Sequence, residues 1–278
     1  MSSTEAAYLD RLQRVKAYIY AHLDEEIDLN RLAEVACLSP YHWHRVYAAV
    51  EGETIHATVK RLRLHRAAGQ LAQTAQPLEE IARRAGYSSG AAFSRAFSAV
   101  YGQPPADYRR NGSHSRFRSA GADGSHAVEI REIPPGRLVA LPHRGSYMDI
   151  GLAFDGVVRT LGARGLLREP LEMAALYYDD PASVPEAELR SSAGLLSDVP
   201  AEPPLEAVAI PGGSYAVLCH KGSYADMRFA YDWLFGHWLL ASGREPADGP
   251  CLERYLNGPQ DTKPADLLTE ICIPLKPA

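Results

Sequence analysis

The stretch LEEIARRAGYSSGAAFSRAF, residues 78 to 97, contains two short helical patterns separated by a turn. Leu78, Ile81 and Ala82 recur at helical spacing before Gly86, whose permissive backbone suits a tight turn. Phe93 and the apolar residues after it resume the pattern. The stretch predicts a helix-turn-helix whose second helix has a polar face that is free to meet DNA.

The same pattern occurs earlier in the chain. The segment from residue 27 to residue 47 aligns with the opening stretch, so that Leu32, Ala33 and Ser39 match Ile81, Ala82 and Ser88. After a one-residue insertion the alignment continues through three further pairs, Trp43/Phe93, Arg45/Arg95 and Tyr47/Phe97. Ser39 is expected to cap the second helix of this copy, with Pro40 in its first turn. The first hundred residues therefore contain an internal duplication.

A long helix is predicted between the two copies, from Thr54 to Leu71. An amphipathic helix is also predicted before the first copy, between Tyr8 and Leu23. Two recognition helices on one rigid strut could enter major-groove segments one turn apart, roughly 34 Å, without dimerisation. A monomer is the simpler expectation.

Residues 8 to 111 resemble the DNA-binding domain of the AraC/XylS transcription regulators. The most specific segment is RAFSAVYGQPPADYR, from Arg95 to Arg109. The resemblance implies that base-reading positions fall in the first recognition helix at Tyr41, His44 and Arg45, and in the second at Gly90, Ala91, Ser94 and Arg95. An arginine fork matches guanine, whereas Ser94 suits either a base or a phosphate. Trp43 and Phe93 fall on the inward face and are expected to pack in the core.

The composition of the chain limits the classes of protein to which it can belong. The chain has 278 residues, of which 46% are hydrophobic and 23% are charged, as in an ordinary globular protein. The N-terminus shows no signal-peptide pattern and no apolar run reaches membrane-span length, so a cytoplasmic protein is expected. The four cysteines form no C-x-x-C pair and are expected to be reduced thiols. A Gly/Ser-rich segment, residues 112–126, is predicted to be a linker.

The second half of the chain is also duplicated. A shift of 77 residues superposes positions 128–155 on 205–232, with the motif His-Arg/Lys-Gly-Ser-Tyr shared by both copies. Each copy predicts two strands around a Pro-Gly turn, a helix (about 150–163 and 227–241) and two late strands. The late strands are 172–178 and 193–196 in one copy, and 251–256 and 270–275 in the other. Two halves related by a pseudo-twofold axis would place a ligand-binding cleft at their junction.

Residues 127 to 276 resemble the GyrI-like effector-binding domain, most clearly in the segment LERYLNGP that begins at Leu252. The predicted fold is therefore multidomain. An all-α N-terminal domain with two helix-turn-helix motifs (8–111) is followed by the linker and by an α+β C-terminal domain of two pseudo-twofold-related repeats (127–276). The resemblance implies three partners for the chain, namely double-stranded DNA, a small amphipathic or cationic effector and RNA polymerase.

The two repeats differ at one chemically important position. A shift of 78 in the late strands aligns Ala175 with Glu253, so only one half carries an acid there. A buried carboxylate is costly unless it is paired, and a cationic ligand would supply a partner. The resemblance implies the same contact for Glu253. The aromatic residues expected to line this site are Tyr147, Tyr224, Trp233, Trp238 and Tyr255.

Rival interpretations remain open at this point. Some relatives of the GyrI-like module hydrolyse reactive small molecules with a Glu and a Tyr, which Glu253 and Tyr255 could provide. A gyrase-interacting module is the third alternative. His143 and His220 occupy matched positions and are expected to have a structural task, such as hydrogen-bonding the turn that follows them, rather than a catalytic one. The sequence shows no catalytic triad order, phosphate loop, metal cluster or cofactor motif, so a regulator that is not an enzyme is the main prediction.

Overall fold

The computed structural model describes residues 3–38, 43–112 and 126–277, which fall into two compact units, Met1–Arg109 and Arg110–Ala278. The first unit is helical and the second is an α+β sheet structure, which confirms the predicted fold class. Most of the predicted linker lies outside the described residues, so the domain boundaries stay a prediction. No helix within the described ranges combines the length and the hydropathy that a membrane crossing requires.

The described residues of the first unit are mainly helical. The helices are α1 (Ser3–Ala21), α2 (Leu29–Ala36), α3 (Trp43–Glu51), α4 (Ile55–Gln73), α5 (Leu78–Arg84), α6 (Gly90–Tyr101) and α7 (Pro105–Asn111). The helix pairs α2–α3 and α5–α6 are the two predicted helix-turn-helix copies, and α4 is the helix between them. The Oδ1 atom of Asp28 caps α2 and the Oγ1 atom of Thr54 caps α4. The predicted cap at Ser39 and Pro40 lies outside the described residues.

Aromatic side chains form the centre of each copy. Trp43 and Phe93 are 2% and 0% exposed, which confirms that both pack in the core. In the first copy α4 contributes Ile55 and Val59 to the cluster around Trp43. In the second copy Phe93 lies against Phe97. Because these rings occupy the inward faces of α3 and α6, the opposite faces are left with polar residues.

An arginine of α4 holds the two copies in a fixed arrangement. Arg63 donates hydrogen bonds to the carbonyl oxygens of Leu23 and Glu25, just before the first copy. Its guanidinium also lies against Gly86 in the turn of the second copy, where a Cβ atom would be only 2.2 Å from Nη1. Gly86 has φ +82°, so this position favours glycine for its backbone, and a side chain here would also displace the guanidinium of Arg63.

The second unit is built on one eight-stranded antiparallel sheet. Its strands are β1 (Val128–Ile133), β2 (Gly136–Arg144), β3 (Met173–Tyr177), β4 (Arg190–Leu196), β5 (Glu206–Ile210), β6 (Gly213–Lys221), β7 (Cys251–Tyr255) and β8 (Leu268–Pro274). The helices are α8 (Gly151–Ala163), α9 (Met227–Trp233) and α10 (Leu239–Ser242), with a π-helical turn (Leu234–Trp238) between the last two. The predicted elements are present, although β4 and β8 begin two or three residues before their predicted starts.

The strand order β1-β6-β8-β7-β3-β4-β2-β5 shows the duplication directly. Each strand of the first half has its counterpart at the mirrored position of this order, so a pseudo-twofold axis passes between β3 and β7. The first strand of each half pairs with the second strand of the other half, as β1 does with β6 and β5 with β2. The two halves are therefore interleaved and share one continuous sheet.

Two pairs of equivalent residues meet at this axis. Ala175 of β3 is the direct cross-strand partner of Glu253 of β7. At the turns that precede β2 and β6, Gly212 lies so close to Pro135 that a Cβ atom would be 2.7 Å from the proline nitrogen. The duplication thus brings position 175 and position 253 side by side at the centre of the sheet.

The second half contains one more residue than the first, and the π-helical turn accommodates it. Asp155 and Asp232 are separated by 77 positions, whereas the left-handed glycines after the helices, Gly165 and Gly243, are separated by 78. The turn Leu234–Trp238 lies between these two points. A π-helical turn holds an additional residue without ending the helix, which explains the change of shift.

Candidate functional sites

The first recognition helix, α3, presents two of the three predicted base-reading residues. His44 and Arg45 are exposed, and neither makes an ion pair or hydrogen bond with other residues of the described ranges. Tyr41 lies outside the described residues. Both side chains could therefore reach a nucleic acid without giving up a partner within those ranges.

The second recognition helix, α6, presents a poorer face. Gly90, Ala91 and Arg95 are exposed, and Ser94 is half-buried. Arg95 has no ion-pair partner within the described part of the chain. Since glycine and alanine offer only backbone and methyl contacts, Ser94 and Arg95 are the polar side chains available at these four positions.

Other arginines of the unit are committed to structural ion pairs. Arg61 of α4 contacts Glu53 at 2.6 Å. Asp24 accepts from Arg66 at 2.7 Å and from Arg84 at 3.2 Å, and so joins α4 to α5. These paired arginines stabilise the fold. The arginines of α3 and α6, which are unpaired among the described residues, are the ones available to bind a phosphate or a base.

The second site centres on Glu253, which lies on the helix-covered face of the sheet beside the pseudo-twofold axis. Its carboxylate is buried, with 5% of the residue exposed. Tyr255 donates a hydrogen bond to Oε2 at 2.7 Å, and Tyr231 of α9 donates to Oε1 at 2.8 Å. Within the described residues no lysine, arginine or histidine forms an ion pair with this carboxylate. Among the described residues, this buried acid is thus held by hydroxyl groups.

Further aromatic rings surround Tyr255 and its neighbour across the axis, Tyr177. The hydroxyls of these two tyrosines are 2.6 Å apart. Edge-to-face contacts join Phe154 and Tyr224 to Tyr255, and Tyr147 to Tyr177, at centroid distances of 5.2, 5.6 and 4.7 Å. We call the set around Glu253 the tyrosine cage; it comprises Tyr147, Phe154, Tyr177, Tyr224, Tyr231 and Tyr255.

Burial of the tyrosine cage changes the pKa values of its ionisable side chains. Burial raises the pKa of Glu253 to about 7, although the hydroxyls of Tyr255, Tyr231 and Tyr177 stabilise the carboxylate and oppose this rise. Burial and the neighbouring Glu253 charge raise the pKa of Tyr255 well above its ordinary value. The tyrosines therefore remain protonated donors, while Glu253 is poised to exchange a proton near neutral pH.

The structure brings four of the six predicted ligand residues together around Glu253. Glu253, Tyr255, Tyr147 and Tyr224 all belong to the cage. Trp233 is only 4% exposed and packs with Trp238 in the hydrophobic cluster between α9 and strands β6 and β8. Trp233 contacts His126, and the half-buried Trp238 packs against the same cluster, which Tyr224 and Tyr231 of the cage also border.

Three members of the cage were missed from the sequence, namely Phe154, Tyr177 and Tyr231. The signal that could have found them is the duplication itself. Tyr177 is the 78-shifted equivalent of Tyr255, and Phe154 is the 77-shifted equivalent of Tyr231. At a pseudo-twofold axis both members of an equivalent pair approach the same point. For each residue predicted to line the site, its equivalent in the other repeat was therefore a candidate as well.

The matched histidines have different partners. His220 bonds the carbonyl oxygen of Ser223 at 3.3 Å, which confirms a role in its turn. His143 instead contacts Ser191 of β4 at 3.0 Å, so its partner lies on a neighbouring strand and not in the turn. Within the described ranges no three His, Cys, Asp or Glu side chains converge to hold a metal ion.

Comparison with known proteins adds two family matches. The GyrI-like small molecule binding domain matches residues 126–276, and a helix-turn-helix domain matches residues 32–111. The transcriptional regulator Rob of Salmonella typhimurium is 35% identical over 100 residues, which cover 36% of this chain and 35% of that protein. The regulatory protein SoxS of Escherichia coli is 31% identical over 98 residues, or 35% of this chain and 92% of SoxS. The match thus spans about a third of the length of Rob.

Among solved structures, the C-terminal domain of EcmrR is similar, with 19% sequence identity and a TM-score of 0.46. It covers 55% of this chain and 99% of that domain.

Proposed function

We propose that this chain, which belongs to the GyrI-like family and carries an AraC-type helix-turn-helix region before that domain, is a DNA-binding transcription regulator that senses a small aromatic cation. The observation that carries the effector class is the buried Glu253, which has tyrosine hydroxyls but no cationic partner among the described residues. The exposed His44, Arg45 and Arg95 support the DNA-binding part.

Retention of genomic DNA fragments by the full chain tests the DNA-binding part. We expect sequence-specific retention that weakens as salt rises, because phosphate contacts release counterions. Arg45→Ala should weaken binding by about 1–3 kcal/mol if the guanidinium reads a base. Arg228→Ala, which removes an exposed arginine from the second unit, is the matched control. Failure to retain any specific sequence at low salt would contradict the proposal.

The two recognition helices should contribute unequally to specificity. His44 and Arg45 of α3 can read base edges, whereas α6 offers Ser94 and Arg95 beside glycine and alanine. We therefore propose that α3 carries most base discrimination and that α6 chiefly contacts phosphate. Selection from an operator library with both half-sites randomised measures this directly. Equal information in both half-sites would refute it.

Cation sensing follows from the energetics of the tyrosine cage. A buried carboxylate without a cation has lost its hydration, and its burial is offset only in part by two hydrogen bonds. A flat cation could stack on the tyrosine rings while its charge lies near Glu253. The ligand would thus restore a charge pair that the protein does not supply from its own described residues.

Titration of the full chain with N-methylquinolinium and with the uncharged isostere 1-methylnaphthalene separates charge from shape. We expect the cation to bind more tightly, and Glu253→Gln to remove this preference while leaving the affinity for 1-methylnaphthalene in place. Glu172→Gln, an exposed acid of the same unit, is the control. The affinity for a selected operator should change when the cation is bound. Equal affinities for the two compounds would contradict the proposal.

A hydrolase is the second candidate, because Glu253 has a pKa of about 7 and accepts a hydrogen bond from Tyr255. An acid with a pKa near the working pH is suited to general acid–base catalysis. Turnover of a reactive electrophile such as an epoxide, abolished by Glu253→Gln with unchanged DNA affinity, would favour this function over sensing.

A further inference from the structure

A groove of about 480 Å³ lies at the ends of β2 and β4. Its lining includes Pro142 and Arg144 of β2, Arg190 and Ser192 of β4, and Tyr178 just after β3. Side chains alternate between the two faces of a sheet, and Ala193 shares the face of Ala175 and Glu253. Arg190 and Ser192 therefore point to the face opposite Glu253, while the backbone oxygens of Asp179 and Arg190 accept hydrogen bonds from Tyr147 of the cage.

Two positive charges are adjacent in this groove. Arg144 and Arg190 are direct cross-strand partners, an arrangement that is destabilising for like charges. Asp179 pairs with Arg190 through contacts of 2.8 and 3.0 Å. Arg144 makes no ion pair with any residue of the described ranges. One carboxylate thus faces two guanidinium groups, and the groove keeps a net positive charge.

The equivalent place in the other half carries its own acid. Ser192 corresponds to Glu270, which pairs with Arg131 at 2.8 Å and with Arg254 at 3.0 Å. In the groove, Ser192 accepts a hydrogen bond from Tyr178 at 3.1 Å. The hydroxyl proton of Ser192 can then be donated to a third group. The first half therefore offers arginines and a hydroxyl donor where the second half has an internal carboxylate.

We propose that this groove is a second ligand site, which binds a small organic anion with a carboxylate group. The carboxylate lies between Arg144 and Arg190, beside the hydroxyl of Ser192, which stands at the position equivalent to Glu270. The apolar body of the ligand packs on Pro142 and on the ring of Tyr178. Arginine suits this task because its planar fork matches a carboxylate.

Calorimetric titration of the full chain with benzoate, at neutral pH and low ionic strength, tests the site. We expect saturable binding of one benzoate, and no binding of benzyl alcohol, which has the apolar body without the charge. Arg144→Gln should weaken benzoate binding by at least about tenfold, as the loss of a charge-assisted hydrogen bond implies. Glu253→Gln should leave benzoate binding unchanged.

The matched control is Lys221→Gln, because Lys221 is the 77-shifted equivalent of Arg144 in the second half. Lys221 is exposed and pairs with Asp266 at 3.0 Å. We expect this variant to bind benzoate as the parent chain does. Non-saturable binding, an equal loss in Lys221→Gln, or equal affinity for benzyl alcohol would each overturn the proposal.

Discussion

The two halves of the second unit, residues 128–196 and 205–274, have the same strands in the same order but different chemistry at their shared axis. Tyr177 faces Tyr255 across it, and Tyr147 and Tyr224 occupy equivalent places. Ala175, in contrast, faces Glu253. The duplication supplies a symmetric aromatic frame, and the acid is present on one side only.

The two halves also differ at the equivalent positions 154 and 231. Phe154 of α8 is replaced in α9 by Tyr231, whose hydroxyl donates to Glu253 at 2.8 Å. The two positions that break the symmetry of the cage therefore contact each other. A buried carboxylate needs hydrogen bonds, so the added hydroxyl is a physical counterpart of the added acid.

Stability should show the largest effect of this asymmetry. Burial raises the pKa of Glu253 from 4.5 to about 7, so the folded chain holds the proton more tightly than the unfolded chain. The proton on Glu253 therefore adds to the free energy of unfolding. This stabilisation is complete at low pH and is lost as the pH rises through 7. Glu253→Gln should therefore stabilise the second unit by about 3 kcal/mol near pH 9 and by roughly nothing near pH 4.

Calorimetric unfolding across this pH range measures the difference. Glu186→Gln is a suitable control because it removes an exposed acid from the same unit. The control should differ little from the parent chain at any pH. Destabilisation by Glu253→Gln at high pH would mean that the carboxylate has an internal cation, and would contradict the account.

The pH dependence of cation affinity is the next largest effect. Binding requires the carboxylate, and below a pKa of about 7 the site must first lose its proton. The affinity for N-methylquinolinium should therefore fall about tenfold for each pH unit below 7 and level off above it. Fluorescence titration over a pH series measures the slope. An affinity that does not change with pH would show that the charge of Glu253 is not used.

Tyr231→Phe should give the smallest effect. It converts α9 to the residue that α8 has at the equivalent position, and removes one donor to the carboxylate. We expect the pH midpoint of cation binding to rise by about one unit, so that affinity falls several-fold at neutral pH and is unchanged at high pH. Phe154→Tyr, on the side without an acid, should leave the midpoint in place. Equal shifts in both variants would remove the link between Tyr231 and Glu253.

Much of the fold could be predicted from the sequence because both duplications leave regular apolar spacing. The helix-turn-helix copies, the helix between them and the core positions Trp43 and Phe93 follow from this periodicity. The asymmetry between Ala175 and Glu253 also requires only an alignment of the two repeats.

The features that could not be predicted from the sequence depend on pairing between strands that are distant in the chain. The exchange of β1 and β5 between the halves leaves no signal in local periodicity, because an interleaved strand has the same alternation as a hairpin strand. Trp233 and Trp238 were predicted to line the site because tryptophan suits cation binding. They pack in or against the cluster between α9 and strands β6 and β8, and their contact with a ligand stays a prediction. Tyr231 is on the same helix and reaches Glu253 only because α9 lies beside the axis.

The central claim is that the buried carboxylate beside the axis binds the cation. Moving this carboxylate from position 253 to position 175, across the axis, tests the claim most directly. Glu253→Ala should lower the affinity for N-methylquinolinium about 100-fold, as expected when a buried charge pair worth about 3 kcal/mol is lost. Adding Ala175→Glu should recover most of this loss, and adding Phe154→Tyr should recover more, because the equivalent tyrosines already surround position 175. Calorimetric titration of the three variants measures these affinities. Failure of Ala175→Glu to restore any cation binding in a folded chain would contradict the account.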